Sequence, residues 1–568
     1  MAKTIIKYTN LASWLEESLL KIDSRRVLTF LERGEIEKEN FLTGRQLHEF
    51  SIKYANAILE NSNFKKDSGR PVILAMSPGL DFVISFFACL YSGVICVPVP
   101  VSKNRLTLKR YESIIKNCGA KEILCDHTGY HTSLYLLKDN FCQVDKLINI
   151  HQEDFFKKTC KNDLNGFGKK LSDPIYIQYT SGSSKDPKGV VLSNSSVIHN
   201  ATLAGGLWDM NSKTTAGSWL PMYHDMGLGM MLFIILHTGH FVFMSPLAFV
   251  QKPVRWLKMI SHYKISLSGA PPFAYNLCIN KIFDRDLSRM DLSSWKRAYC
   301  GAETVPKTVL KAFKEKFSKY NLDPKSVFAC YGMAEVKLYI AGQRCEKALE
   351  TADSVDNYVA PIWLSEETKS QIKIVDPVKL NIKDEGNKGE VWVQTKSKGL
   401  GYIQQYKENR IDINDTVFNA SISELSGLWL RTGDLGLVSE NQLYILGRIK
   451  DSLKVNGMNV SPADLECYVG GLHPSLNEFG AAAFRSSNKI EGRAHLLIEL
   501  HASNENSIDF LSLEDKIRKG VLTNFSIGLD DILILKRGTL ERTSSGKIRR
   551  QKIREQYLKE NYSQYMVN

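Results

Sequence analysis

No two of the cysteines stand in a C-x-x-C spacing, and their number, 11, is odd. That scatter excludes a secreted disulfide framework, argues against a zinc site and suits a reducing cytoplasm. The opening residues, MAKTIIKYTN, lack the apolar core of a signal peptide. Long apolar runs are scarce too. One long uncharged stretch, residues 82–101, is broken by Ser92-Gly93 and two prolines. It reads as a buried helix followed by a buried strand, so no transmembrane segment is expected. Internal repeats and low-complexity tracts are missing as well.

What is present is a chain of 568 residues with 43% hydrophobic content, enough for two or more domains. Its 74 Lys and Arg outnumber 61 Asp and Glu, for a net charge of +13. Such a balance favours acidic partners: nucleotides, acidic carrier proteins or anionic membrane surfaces. No nucleic-acid motif accompanies the charge, which is spread along the chain, so nucleic acid is not an expected partner.

Short apolar runs at 72–76, 94–97, 123–125, 175–178, 239–244 and 265–268 read as strands. Helical patterns at 80–91, 106–117 and 254–262 fall among them. This alternation predicts an α/β architecture with largely parallel, helix-covered sheets. Near residues 386–389 the character changes to β segments at 390–394 and 442–446. After Lys450, helical patterns at 463–468 and 513–518 accompany strands at 496–500 and 532–535, enough for a small α+β domain.

The strongest local signal is TSGSSKDPKG at 180–189, directly after the apolar run at 175–179. Small residues let the backbone approach an anion, and successive N–H groups with Ser and Thr hydroxyls cradle phosphate oxygens. Lys188 adds a compact positive charge. The loop differs from the P-loop of kinases and GTPases, where Gly-Lys-Ser/Thr closes the motif; here Lys precedes Gly. Taken alone, these residues also suit a solvated Ser/Gly loop.

The loop resembles the phosphate loop of the adenylate-forming superfamily, which includes acyl-CoA synthetases, fatty acyl-AMP ligases, luciferases and peptide-synthetase adenylation domains. Further signatures follow in that family's order: Tyr331-Gly332-Met333-Ala334-Glu335, Gly389-Glu390 with Gly401-Tyr402, and Arg431-Thr432-Gly433-Asp434. Gly447-Arg448-Ile449-Lys450 and Thr543-Ser544-Ser545-Gly546-Lys547 complete the set, and the resemblance runs from about Leu42 to the C-terminus. It implies a large N-terminal adenylation domain, residues 1–449, of parallel and mixed sheets plus a β subdomain. A small mobile α+β domain, residues 450–568, would follow, with Lys450 as the hinge.

The same resemblance implies the roles. Thr180, Ser181, Gly182, Ser183, Ser184 and Lys188 would take the phosphates of ATP. Glu335 would help hold Mg²⁺, Tyr331 with Gly332 and Met333 would face the adenine, and Gly301, Ala302 and Glu303 would form the loop beside the base. Asp434 would accept hydrogen bonds from the ribose hydroxyls, with Arg448 close by. Lys547 would be the catalytic lysine, reaching between carboxylate and α-phosphate. His224, in WLPMYHDMGLG at 219–229, would lie by the substrate carboxylate. Gly229, Met230 and Phe273 would line the acyl pocket.

Segments at 79–100, 178–184, 245–278 and 290–305 are specifically similar to fatty acyl-AMP ligases. Members of that family pass the acyl group to an acyl carrier protein, here expected in trans because no carrier domain is evident. The basic tail 547–559 would suit such an acidic partner. Two departures stand out: the stretch 336–374 is shorter than that family expects, and Asn194 occupies a position where many relatives have His. An acyl-CoA synthetase with CoA as acceptor therefore stays open as the alternative, and a non-catalytic nucleotide-binding scaffold is the reading from another class.

Overall fold

The computed structural model describes residues 8–61, 70–101, 105–138, 144–156, 164–180, 187–343, 358–403, 413–451, 453–455, 458–485, 494–501, 508–525, 527–542, 548–559, 562 and 566–567. Two seven-stranded sheets dominate. One holds, in spatial order, Val327–Ala329, Arg297–Cys300, Leu267–Ala270, Thr215–Ser218, His240–Met244, Arg26–Leu31 and Glu39–Thr43. Its ladders are parallel except at the last, edge pair. The other runs Gly401–Tyr402, Gly189–Ser193, Pro174–Tyr179, Cys96–Val99, Val72–Ala75, Glu122–Cys125 and Lys146–Asn149.

The reason for this layering is local. Val72–Ala75 and Cys96–Val99 are apolar at every position and fully buried, as strands covered by helices on both sides must be. The helix Leu80–Ser92 between them is buried from Phe82 onward and stops at Gly93, whose φ of 77° is a left-handed cap that suits glycine. The uncharged run 82–101 is thus a buried helix and a buried strand. The strand starts two residues later than its apolar run because the Val94 N–H still closes the helix end on the Cys89 carbonyl. Likewise the run 265–268 pairs as Leu267–Ala270, since Ile265 N–H bonds back to Ile260.

A five-stranded antiparallel sheet follows, in the order Ile362–Trp363, Gln442–Arg448, Leu430–Ser439, Gly389–Val393 and Ile372–Val375. It is the expected β subdomain. Beyond Leu453 a three-stranded sheet, Leu476–Arg485, Ala494–Leu500 and Leu529–Leu535, packs with the helices Pro462–Gly470, Phe510–Phe525 and Arg550–Tyr557. Its side chains form separate hydrophobic clusters around Ile498 and Leu497. Among the described residues, no helix is long and apolar enough to cross a membrane.

The N-terminal segment holds more structure than its pattern suggested. The helix Leu11–Lys21 begins at Asn10, whose side chain accepts the Ser13 N–H, and the strands Arg26–Leu31 and Glu39–Thr43 extend the first sheet. The strand Arg26–Leu31 alternates weakly and is followed by a heavily charged turn, so its burial comes from tertiary pairing with His240–Met244. Asn194, the departure noted above, has a structural task. Fully buried, it accepts the Leu11 N–H at 3.0 Å and donates to the Lys170 carbonyl at 2.9 Å, anchoring that helix away from the cavity described next.

Candidate active site

One cavity of about 1110 Å³ collects residues from all three large sheets and from the small C-terminal sheet. Its polar end begins where the strand Pro174–Tyr179 stops. Thr180 N–H bonds to the Lys188 carbonyl at 3.0 Å, and the Arg110 guanidinium donates to the Thr180 carbonyl at 2.5 Å, so both ends of the Ser/Gly loop are pinned. Ser181, Gly182, Ser183 and Ser184 lie outside the described residues. The Lys188 ammonium stands 4.8 Å from the Tyr402 ring centre; burial lowers its pKa, and the nearby Glu335 carboxylate opposes that shift.

Tyr331-Gly332 pairs as a short hairpin with Tyr339–Ala341. A side chain at Gly332 would lie 1.8 Å from the Leu338 carbonyl oxygen, so only glycine fits that crossing. The hairpin presents Glu335, 6% exposed, whose Oε1 accepts the Tyr402 hydroxyl at 2.6 Å. The Gly401-Tyr402 signature, remote in sequence, thereby supports the carboxylate. Gly399 N–H holds the Glu335 carbonyl at 2.8 Å.

Asp434 and Arg448 face each other across the antiparallel ladder of Leu430–Ser439 and Gln442–Arg448. Arg448 Nε lies 2.7 Å from Asp434 Oδ1, and the Tyr331 hydroxyl donates to Oδ2 at 2.5 Å. Asp434, ahead of Glu335, holds the guanidinium of Arg448 more firmly in its charged form. Burial, then the Asp434 carboxylate, push the Tyr331 phenol well above its ordinary range. Behind them sits Glu390, 2% exposed, whose role was not read from sequence. It accepts from Arg431 Nη2 at 2.8 Å, Trp392 Nε1 at 3.0 Å and the Gly433 N–H at 3.1 Å. The carboxylate thus fixes the Arg-Thr-Gly turn that aims Asp434.

Ala302 and Glu303 line the same cavity, as do Gly332 and Met333. Ala302 has a left-handed φ of 70°, and a side chain at Gly301 would meet the Cys330 carbonyl oxygen and sulfur, both at 2.7 Å. At the apolar end, His224 precedes the helix Asp225–Leu236, which is buried all round from Met226 on. His224 Nδ1 lies 4.0 Å from Asp225 Oδ1. Met226, Met230 and Phe233 line the cavity from one face of that helix, opposite Trp219, Phe273 and Leu277. Trp219 stacks on Phe249 at 4.0 Å and meets the Phe273 ring edge-on at 5.9 Å. Gly229 belongs to the same face but is covered by Leu338 and Lys337.

Lys450, on the turn Ile449–Asp451, reaches the cavity just where the five-stranded sheet ends. Lys547 lies outside the described residues. Arg542 and Ile548, on either side of its segment, form a bridge, and both line the cavity. The tail that follows differs from a free basic face. Arg550 is paired with Glu466 within the cavity wall, and Lys552 reaches Glu541 at 2.6 Å. Ile553 is fully buried. Arg550 and Lys552 thus serve internal ion pairs of the small sheet unit, which removes much of the reason to see this tail as a docking face.

These groups can neutralise and align a nucleotide triphosphate at one end and hold a carboxylate with an apolar tail at the other. A single buried carboxylate, Glu335, with one oxygen engaged by Tyr402, suits a cation that keeps waters and phosphate oxygens as its other ligands. The profile of the AMP-binding enzyme family matches residues 21–403, and that of the Disco-interacting protein 2-like AMP domain matches residues 450–566. The chain is 30% identical to the medium-chain-fatty-acid--[acyl-carrier-protein] ligase JamA of Moorena producens, over 95% of this chain and 94% of that protein. It is 27% identical to the long-chain-fatty-acid--AMP ligase FadD26 of Mycobacterium marinum, over 88% and 89%. A solved structure from work on the fatty acyl-adenylate ligases of E. coli and L. pneumophila superposes with a TM-score of 0.83 at 25% identity, covering 98% of this chain and 99% of that one.

Proposed function

The chain belongs to the AMP-binding enzyme family, among its fatty acyl-AMP ligases, and on that premise we propose that it joins a fatty acid to the α-phosphate of ATP and then hands the acyl group to an acyl carrier protein. One observation carries the reading: Thr180, Lys188, Glu335, Tyr331, Asp434 and His224 line a single cavity with an apolar extension.

A carboxylate oxygen attacks the α-phosphorus, the bond from that phosphorus to the β-bridging oxygen breaks, and pyrophosphate leaves with the electron pair. Both reactants are anions, so positioning and charge neutralisation supply the catalysis. The pinned loop from Thr180 to Lys188, with Ser181, Gly182, Ser183 and Ser184, takes the phosphates. Tyr331 and the segment Gly301, Ala302 and Glu303 enclose the base, with Gly332 and Met333 beside it. Asp434 receives the ribose hydroxyls; a carboxylate has about four acceptor sites, so Tyr331 and Arg448 leave room for them. His224 sits beside the incoming carboxylate, and Met230 and Phe273 shape the tail's path, with Gly229 in the wall behind.

Glu335 is the residue that would hold Mg²⁺, which when bound neutralises phosphate charge. Lys547 supplies the mobile ammonium between carboxylate and α-phosphate. In this reading residues 1–449 are the adenylation domain, 450–568 the mobile domain and Lys450 the hinge; the separate apolar clusters beyond Leu453 and the second profile match from residue 450 support that division. The work is cytoplasmic, the acyl carrier protein acts in trans, and CoA is the rival acceptor.

The test is fatty-acid-dependent exchange of pyrophosphate into ATP. Lys547→Ala should lower it by roughly 100-fold or more while ATP binding largely remains. Adding a carrier protein or CoA to the wild type and identifying the acylated product separates the two acceptors. Absence of exchange with acids of every length would overturn the reading in favour of a nucleotide-binding scaffold.

A further inference from the structure

Lys337 is the anomaly of the acyl end. It is fully buried (0% exposed), and among the described residues its ammonium has no hydrogen-bond partner. Its backbone adopts φ 74° and ψ −58°, the rare and strained form of the γ-turn, at a residue other than glycine. Backbone strain and an unpartnered buried cation each destabilise a fold, and here one residue carries both.

Its position is informative. Residues 226, 229, 230 and 233 share one face of the helix Asp225–Leu236 by the 3.6-residue period. Three of them, Met226, Met230 and Phe233, line the acyl cavity, and so does Leu338. A side chain placed at Gly229 would stand 2.9 Å from Lys337 Nζ and 2.8 Å from a Leu338 methyl. The ammonium therefore occupies the gap that the glycine leaves on the cavity-facing side of the helix. The Phe233 and Tyr176 ring centres lie 5.6 and 5.5 Å away, close enough to offset part of the desolvation. The Tyr176 hydroxyl is itself buried without a partner among the described residues. Asp225, at the start of the helix, acts electrostatically on both groups. Two donors thus lie buried directly behind the stretch of wall that Leu338 and the Met226, Met230 and Phe233 face supply, neither of them itself lining the chamber.

We propose that Lys337 and Tyr176 form a donor notch that receives a hydroxyl or keto oxygen carried on one of the first carbons of the substrate acid. The inference rests on the acid-activation reading above and names its substrate class: oxygenated fatty acids in preference to plain ones. The oxygen must lie close to the carboxyl end, because Gly229 stands about one helical turn, ~5.4 Å, from Asp225. A site built to hydrogen-bond a substrate oxygen discriminates against the analogue lacking it more strongly than an apolar pocket discriminates by size, because its buried donors are then left unpaired.

The experiment measures kcat/KM in pyrophosphate exchange for dodecanoate, β-hydroxydodecanoate and δ-hydroxydodecanoate with the wild type, Lys337→Met and Tyr176→Phe. The readout is the ratio between acids within one preparation, which a loss of folded enzyme does not move. The wild type should favour one hydroxy acid by ~10-fold or more, Lys337→Met should bring the ratio near one, and Tyr176→Phe should lower it in part. A wild type that prefers the plain acid, or a preference that survives in Lys337→Met, overturns the notch while leaving acid activation standing. Exchange with none of the acids would instead overturn the activation reading itself, and the notch with it.

Discussion

The two ends of the cavity are built on opposite rules. At the nucleotide end, charged groups are tied to others: Asp434 to Arg448 and Tyr331, Glu390 to Arg431, Trp392 and Gly433, Glu335 to Tyr402. At the acyl end Met, Phe, Trp and Leu side chains line the wall with Asn276 and Asn280 among them, and behind it the buried ammonium of Lys337 stands without a hydrogen bond among the described residues. The contrast follows from what each end must do. A triphosphate is the same molecule in every turnover, so over-determined positions only help. An acyl chain is held mainly by apolar contact, in which one methylene more or less changes binding by only about 1–3 kcal/mol. Selectivity there needs an exceptional polar group.

The sharpest way to break this contrast is Asp434→Ala. It removes the partner of Arg448 and Tyr331 and the ribose acceptor together. Hydrogen bonds to a charged group are worth about 1.5–3 kcal/mol each, so kcat/KM for ATP should fall by roughly 100-fold or more. The ratio between acids should hold. A comparable collapse of acid discrimination would mean that the two ends do not act separately.

A smaller effect is expected from Glu390→Gln, which touches neither substrate. Breaking a buried ion pair costs about 3–5 kcal/mol, and the partial exposure of Arg431, 31%, brings the expectation toward about 2 kcal/mol. Urea denaturation followed by tryptophan fluorescence should register the loss, accompanied by weaker ATP binding because the turn before Asp434 loosens. Unchanged stability would show that the turn holds itself.

A third effect, of similar size, is a pH dependence. Burial lowers the Lys337 pKa from 10.5 to about 7 in the folded chain. Between those values the unfolded chain binds the proton and the folded one does not, so stability rises with pH across that window; below about 7 both forms are protonated and the full burial penalty remains. The wild type should therefore gain stability from pH 7 to 9 relative to Lys337→Met, in denaturation measured at both values. Parallel curves would place the ammonium in contact with water or an anion.

The parts legible in sequence were those whose chemistry is local. The apolar run 175–179 followed by Ser, Gly and Lys read as a strand opening into a phosphate loop, and the strand Pro174–Tyr179 ends at Thr180 as that pattern requires. Asp434 and Arg448 were paired only by resemblance. Fourteen residues apart in the chain, they meet because the two strands turn back in antiparallel register. Glu390 belongs to a signature, yet its work on residues 41 and 43 positions away is not written in the string. Nothing local in the string marks Lys337, since lysines are rarely buried.

By itself the sequence determined several of the central strands and helices, the apolar layers they require and the motifs whose residues line one cavity. Periodicity, turn residues and charge type act over a few residues and are written in the chain directly. Only the tertiary structure decided which carboxylate supports which turn, that the tail's Arg550 is used internally, and that a glycine at 229 opens room for an ammonium at 337. Those are contacts between distant segments, and burial, which sets their strength, exists only once the layers have closed around them.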